Sequence, residues 1–130
     1  MRASALHDVA SQAIKNLPYL QPLDENRPRG ARWTQPWRSS GVTGAANRQR
    51  VGNLASYDQI WKHVRKVIAN PSAQQEVWLM LGQSLSAQAL DQQGRKRPPT
   101  PEAIQVYSLL QTTWSAVSQL GARLRVFCSL

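Results

Sequence analysis

The chain has 130 residues and a net charge of +9, a length that allows one small domain with extensions. Its single cysteine, Cys128, excludes an intrachain disulfide, cannot build a thiolate metal site by itself and favours a reducing compartment. No apolar run reaches the length of a membrane helix, and the N-terminus lacks the apolar core of a secretory signal. We therefore expect an intracellular protein without membrane insertion, cytoplasmic in the first place, with a mitochondrial location left open.

Residues 1–17 are predicted to form an N-terminal amphipathic helix. Pro18 ends the pattern, because proline is unfavourable inside a helix. The same residues also fit a mitochondrial presequence, which is amphipathic and poor in acidic residues, although Asp8 argues against it. We interpret the segment as a structural helix and leave open whether it also acts in targeting. Its apolar stripe consists of Leu6, Val9, Ala10, Ala13, Ile14 and Leu17.

The next segment, residues 18–56, is predicted to be an extended arm, called here the basic arm. Its apolar residues follow neither a helical nor a strand period, and prolines and glycines interrupt it repeatedly, so it cannot bury itself. Between Asn26 and Tyr57 it carries no acidic residue. The candidate partner-binding residues are Arg27, Arg29, Arg32, Trp33, Trp37, Arg38, Arg48 and Arg50.

The cations of the basic arm are all arginine, which favours bidentate contacts with phosphate or carboxylate over mere solubility. Tryptophan and arginine are also the residues most often found as interface anchors. Trp33 and Trp37 are therefore the predicted anchors of the arm.

Residues 57–130 are predicted to form a helical core domain. Apolar stripes favour one helix over 57–69 with a basic outer face, a second over about 73–91, and a long one from Pro101 to about residue 128. Thr100 is the expected N-cap of the last helix. The predicted fold class is all-α, a small bundle of three or four helices with the long, irregular basic arm.

The last predicted helix carries a heptad seam over residues 103–128. Packing inside the bundle explains this seam most simply, since a small bundle needs one in order to fold. Additional apolar residues beside it, Ile104, Val106 and Leu109, leave room for a partner helix. A homo-oligomer through this seam is therefore a further prediction.

The run from Asn70 to Leu85 resembles the junction between tetratricopeptide repeats, in which Asn-Pro precedes a helix with the pattern W-x-x-L-G, here Trp78, Leu81 and Gly82. The following segment resembles the second helix of such a repeat, with Ala103 and Tyr107 at the A-x-x-x-Y positions. The resemblance covers residues 70–110 and implies a helical hairpin within a peptide-binding or scaffolding module that needs partners to be stable.

Catalytic and cofactor chemistry find no support in the sequence. The chain has two histidines, and its seven carboxylates are scattered along it. Patterns for zinc, calcium and phosphate-loop nucleotide sites do not occur. We therefore expect no enzyme activity, no metal and no cofactor.

Two functions remain. In the first, the protein is a structural or scaffolding subunit of a larger assembly, docked by its helical core and anchored on protein subunits by the basic arm. In the alternative, the arm binds RNA or DNA without sequence preference, and a second basic patch extends that site. The residues of this patch are Lys62, Arg65, Lys66, Arg95, Lys96 and Arg97.

Overall fold

The computed structural model of the chain describes residues 3–21, 23–27 and 56–129. Among these residues it contains four α-helices and a two-stranded parallel sheet. The predicted all-α fold class is therefore wrong, and the fold is mixed α/β. Most of the basic arm, residues 28–55, lies outside the described residues, as do its candidate binding residues other than Arg27.

The helices and strands follow one another as α1, α2, β1, α3, α4 and β2. Two short 3₁₀ turns, Leu17–Leu20 and Asp24–Asn26, lie between α1 and α2. The bounds are Ala3–Asn16 for α1, Tyr57–Ile68 for α2, Glu76–Ser86 for β1, Ala87–Gly94 for α3, Pro101–Gln119 for α4 and Arg123–Ser129 for β2. The helices predicted at the N-terminus and at residues 57–69 are thus observed, each close to its expected bounds.

The chain divides into two compact units. One unit combines residues 1–20 with residues 74–130, so that it holds α1, the sheet, α3 and α4. The other covers residues 21–73 and holds α2.

The helix predicted over residues 73–91 is replaced by β1 followed by α3. The apolar run from Val77 to Leu81 fits a strand as well as a helix, because such short runs satisfy both periods. Pairing with β2 selects the strand, and Gly82, with a φ of +51°, departs from the right-handed helical conformation. The helix therefore starts only after the strand, where the Ser86 side chain accepts a hydrogen bond from the Ala89 N–H.

Helix α4 begins as predicted, because Thr100 accepts a hydrogen bond from the Ala103 N–H at 3.3 Å. It ends at Gln119, nine residues short of the predicted end at 128. Gly121, with a φ of +73°, allows the chain to leave the helix in a left-handed conformation. The Ala122 N–H then bonds the Val117 carbonyl at 3.3 Å, as in a Schellman motif, and β2 follows.

The heptad seam is accordingly split between a helix and a strand. Ala103 and Val117 are fully buried on α4, whereas Tyr107 and Trp114 on the same helix are exposed. Cys128 lies on β2, half-buried against the core. Association of two copies through this region stays a prediction.

The main core of the first unit lies between α1, the inner face of the sheet, α3 and α4. Helix α1 packs on both α4 and β1, and the α3–α4 connection returns the chain to the start of the sheet so that β2 runs parallel to β1. Side chains of a strand alternate between its two faces, so Leu79 and Leu81 point inward and Trp78 and Met80 outward. The buried residues of this core are Leu6, Leu79, Leu81, Leu85, Leu90, Ala103 and Val106.

Candidate docking surface

The sheet exposes its second face. Trp78 is 58% exposed, Met80 64% and Phe127 39%, although all three are large apolar residues. The Trp78 and Phe127 rings touch, with centroids 5.1 Å apart and an interplanar angle of 50°. We call the surface formed by Glu76, Trp78, Met80, Arg123, Arg125 and Phe127 the outer sheet face. These are the residues of the two paired strands that alternation directs away from the core.

A polar network holds one end of the outer sheet face in place. The Trp78 indole N–H donates to Glu76 Oε2 at 2.8 Å, and Arg125 donates to Glu76 Oε1 through Nε and through its terminal nitrogen, each at 2.8 Å. The hydrogen bond from Trp78 and then that from Arg125 lower the pKa of the Glu76 carboxyl below its ordinary value. The indole ring is thus fixed by a charged hydrogen-bond acceptor while most of its surface stays in solvent.

This network predicts a specific dependence of stability on pH. Because the pKa of Glu76 is lower in the folded chain than in the unfolded chain, its contribution is complete above the ordinary glutamate pKa of about 4.3 and disappears as the pH falls through the lowered value. We expect wild type to be more stable than Glu76→Gln near neutrality, with the difference shrinking at lower pH. Urea unfolding at a series of pH values measures this, and a difference that stays constant down to pH 3 would contradict it.

Both strands of the sheet have an unpaired edge. No other strand among the described residues joins β1 or β2. The Gln75 carbonyl accepts the Arg123 N–H at 2.9 Å, so the peptide groups on the β2 side of β1 belong to residues 75, 77 and 79. Alternation then turns the N–H and C=O groups of Glu76, Trp78 and Met80 toward the free edge of β1. Such an edge is a template for another strand.

A groove of about 320 Å³ runs along this free edge. We call it the α1–β1 groove. Four consecutive residues of β1, Glu76 to Leu79, line one wall. Since consecutive side chains point to opposite faces, a surface that contacts all four lies along the strand's edge. Helix α1 and the turn after it form the other wall, with the apolar residues Val9, Ala13, Leu17 and Leu20.

Comparisons with known proteins do not identify the chain. Protein-family models, curated proteins and solved structures give no match to it. The tetratricopeptide resemblance is neither confirmed nor contradicted by them, and the residues that carry its W-x-x-L-G pattern, Trp78, Leu81 and Gly82, lie on β1.

The described part of the basic arm makes contacts within its own unit. Arg27 donates a hydrogen bond to the Asp58 carboxylate, and its guanidinium carbon lies 4.3 Å from the centre of the Tyr57 ring. Hydrogen bonding to Tyr57, followed by that to Asp58, raises the pKa of Arg27 above its ordinary value. Arg27 is thus held against the first residues of α2.

The predicted basic patch is divided between the two units. On α2, Lys62 and Lys66 are exposed, while Arg65 pairs with Asp24 at 2.6 Å. These three cations line one shallow depression on α2. In the other unit the remaining three cations, Arg95, Lys96 and Arg97, follow α3 in an exposed turn. Arg95 pairs with Asp91 at 2.9 Å, and Arg97 donates to the backbone carbonyls of Gly94 and Lys96.

A second cleft, of about 630 Å³, lies between α1 and α4. Its lining consists of His7 and of residues without an ionisable side chain, such as Ser4, Ile104 and Gln105.

Across residues 3–21, 23–27 and 56–129, histidine, cysteine, aspartate and glutamate side chains form no group of three that could hold a metal ion. None of the helices in those same ranges combines the length and apolar character needed to cross a bilayer.

The outer sheet face is a site that the sequence interpretation missed. The sequence predicts helices over about 73–91 and from Pro101 to about 128, and on two helices Trp78, Arg123 and Arg125 do not form one surface. A usable signal does exist in β2, where Arg123, Arg125 and Phe127 alternate with Leu124 and Cys128. In β1 the uninterrupted apolar run conceals the same alternation.

Proposed function

We propose that the chain is a non-enzymatic structural subunit of a larger assembly, and that its outer sheet face docks a neighbouring protein. The exposed set of Trp78, Met80 and Phe127 carries this proposal. Parallel sheets are normally covered on both faces, and here the helices of the sheet's own unit pack on its inner face. An exposed apolar surface of this kind is typical of an interaction site.

The chemistry of the surface also supports a protein partner. Tryptophan, phenylalanine, methionine and arginine are enriched at the centres of protein interfaces. The Trp78 ring is already held by Glu76 and by contact with Phe127, so little conformational freedom is lost when a partner covers it. The basic arm, through Trp33 and Trp37, would give the same assembly a second point of attachment.

The test is the native mass of the chain in extracts of the cells that make it. We expect a tagged wild-type chain to migrate within a large complex, and Trp78→Ser combined with Phe127→Ser to migrate as a free chain, because the centre of the interface is lost. Trp114→Ser is a matched control, since Trp114 is 59% exposed but lies on α4. A wild-type chain that migrates freely, or a double variant that stays in the complex, would contradict the proposal.

Nucleic-acid binding is a second candidate, favoured by the three cations Lys62, Arg65 and Lys66 on one surface of α2. Pairing of Arg65 with Asp24 reduces the charge that this surface offers to phosphate. The discriminating measurement is the affinity for fluorescent single-stranded oligonucleotides at several salt concentrations. Binding that weakens steeply with salt, with a slope that falls by about one for each lysine replaced by alanine, would support it.

A further inference from the structure

We propose that the α1–β1 groove takes an extended, acidic segment of a partner protein, which adds as a strand to the free edge of β1. The inference deepens the proposed function and rests on it, because it names how a partner joins the sheet. The groove shares Glu76 and Trp78 with the outer sheet face, but its α1 wall, with Ala13, can be altered without changing a residue of that face.

The backbone of β1 sets the first requirement for the occupant. The N–H and C=O groups of Glu76, Trp78 and Met80 point toward the groove side and have no backbone partner among the described residues. A neighbouring strand is the ligand that satisfies such a row of alternating donors and acceptors in full. The three steps from Glu76 to Leu79 span about 10 Å, the length of a short extended peptide.

The walls of the groove set the second requirement. The α1 wall combines apolar surface at Ala13, Leu17 and Leu20 with the polar side chains of Gln12 and Asn16, so an added strand would place alternate side chains against this mixed surface. The Gln75 side-chain N–H₂ donates to the Leu20 carbonyl at 3.1 Å and so ties the turn after α1 to the start of β1. The net charge of +9 favours an acidic segment of another protein over a second, equally basic copy of this chain.

Charge sets the third requirement. The only carboxylate lining the groove, within the part of the chain that the structure describes, is Glu76, and Arg125 already binds it. Arg123 lies opposite Glu76 in the strand register, and Lys15 lies in the last turn of α1. None of these three cations lines the groove itself, but they lie one strand or one residue from its lining, in a chain of net charge +9. A segment with carboxylates on its solvent-facing positions fits this field.

The experiment uses the full chain and a fluorescein-labelled hexapeptide in which valine and glutamate alternate. We expect saturable binding by fluorescence anisotropy, weakened about tenfold or more when lysine replaces glutamate. Two further peptides carry N-methyl groups on the amides of one edge or of the other. If the peptide adds as a strand, methylation of the amides that face β1 removes its hydrogen-bond donors and abolishes binding. Methylation of the amides on the opposite edge leaves the affinity nearly unchanged.

A pair of variants locates the site. Ala13→Phe fills the groove and is expected to weaken peptide binding about tenfold or more, whereas Ser11→Phe adds the same ring to an exposed position of α1 outside the groove and leaves binding unchanged. Circular dichroism confirms that both variants are folded.

Several results would overturn the inference. The first is no binding of the alternating peptide up to about 1 mM, which corresponds to a very weak Kd. The second is an equal loss of affinity for both N-methylated peptides, and the third is an unchanged affinity of Ala13→Phe for the peptide. If oligothymidylate displaces the peptide, the groove binds nucleic acid instead. If sedimentation shows a dimer of the wild-type chain and a monomer of Ala13→Phe, the groove binds a second copy of the chain. The proposed function is tested by a different experiment, the native mass of the chain in cell extracts, which does not use the peptide. A wild-type chain that enters no native complex contradicts the proposed function.

Discussion

Leu79→Ala is expected to lower the free energy of unfolding by about 2–5 kcal/mol, the range for a leucine truncated in a well-packed core. Leu79 is 1% exposed and packs against the main core from the inner face of β1. Small domains are stabilised by about 5–15 kcal/mol in total, so this single change removes a large share of the stability. Urea unfolding followed by circular dichroism measures it.

The neighbouring residue is the matched control. Met80 is 64% exposed on the outer sheet face, so Met80→Ala is expected to change the free energy of unfolding by only about 0.5 kcal/mol or less. Trp78→Ala adds a second comparison. On β1 the loss caused by Trp78→Ala is limited to the contacts of the indole with Phe127 and Glu76. A larger loss for Trp78→Ala than for Leu79→Ala would contradict the strand.

The second large effect is expected at the N-terminus. Leu6 is 1% exposed and belongs to the main core, where α1 packs on α4 and β1. We expect Leu6→Ala to destabilise the chain by about 2–5 kcal/mol, measured in the same way. His7→Ala, one residue away with its side chain 64% exposed, is expected to be nearly neutral.

This comparison bears on the interpretation of residues 1–17. A segment that served only as a targeting sequence would contribute nothing to the stability of the folded chain. If wild type and Leu6→Ala are equally stable, the presequence interpretation is favoured. If Leu6→Ala lowers the free energy of unfolding and His7→Ala does not, α1 is established as part of the core.

Local signals account for the parts of the fold that the sequence predicts well. The apolar stripe of α1, the amphipathic pattern of α2 and the Thr100 cap of α4 each depend on residues within one or two helical turns of each other. The strands could not be predicted in this way. The run from Val77 to Leu81 satisfies two periods at once, and the pairing that selects the strand comes from residues 123–127.

The end of α4 shows how a recognisable signal can be overridden. Gly121 lies within the predicted heptad seam of residues 103–128, at spacings of four and three from Val117 and Leu124. A glycine at such a position is also the commonest residue for a left-handed helix end, and its φ of +73° confirms that this role prevails. Spacing alone does not separate these two roles.

The candidate site was missed for a related reason. The Arg125–Glu76 ion pair joins residues 49 positions apart, and it forms only because the strands are parallel and in register. The sequence predicts binding by aromatic and cationic residues of the basic arm, and not by those of the two strands. The outer sheet face becomes visible once the alternation of β1 and β2 is known.

The most direct test of the docking proposal is oxidative footprinting of the chain in intact cells, compared with the purified chain, with the modified residues read by mass spectrometry. We expect Trp78, Met80 and Phe127 to be protected in cells, while Trp114, equally exposed on α4, is labelled to the same extent in both samples. Equal labelling of Trp78 and Met80 in cells and in isolation would contradict the proposal, and protection of Trp114 alone would assign the interface to the helix seam of residues 103–128.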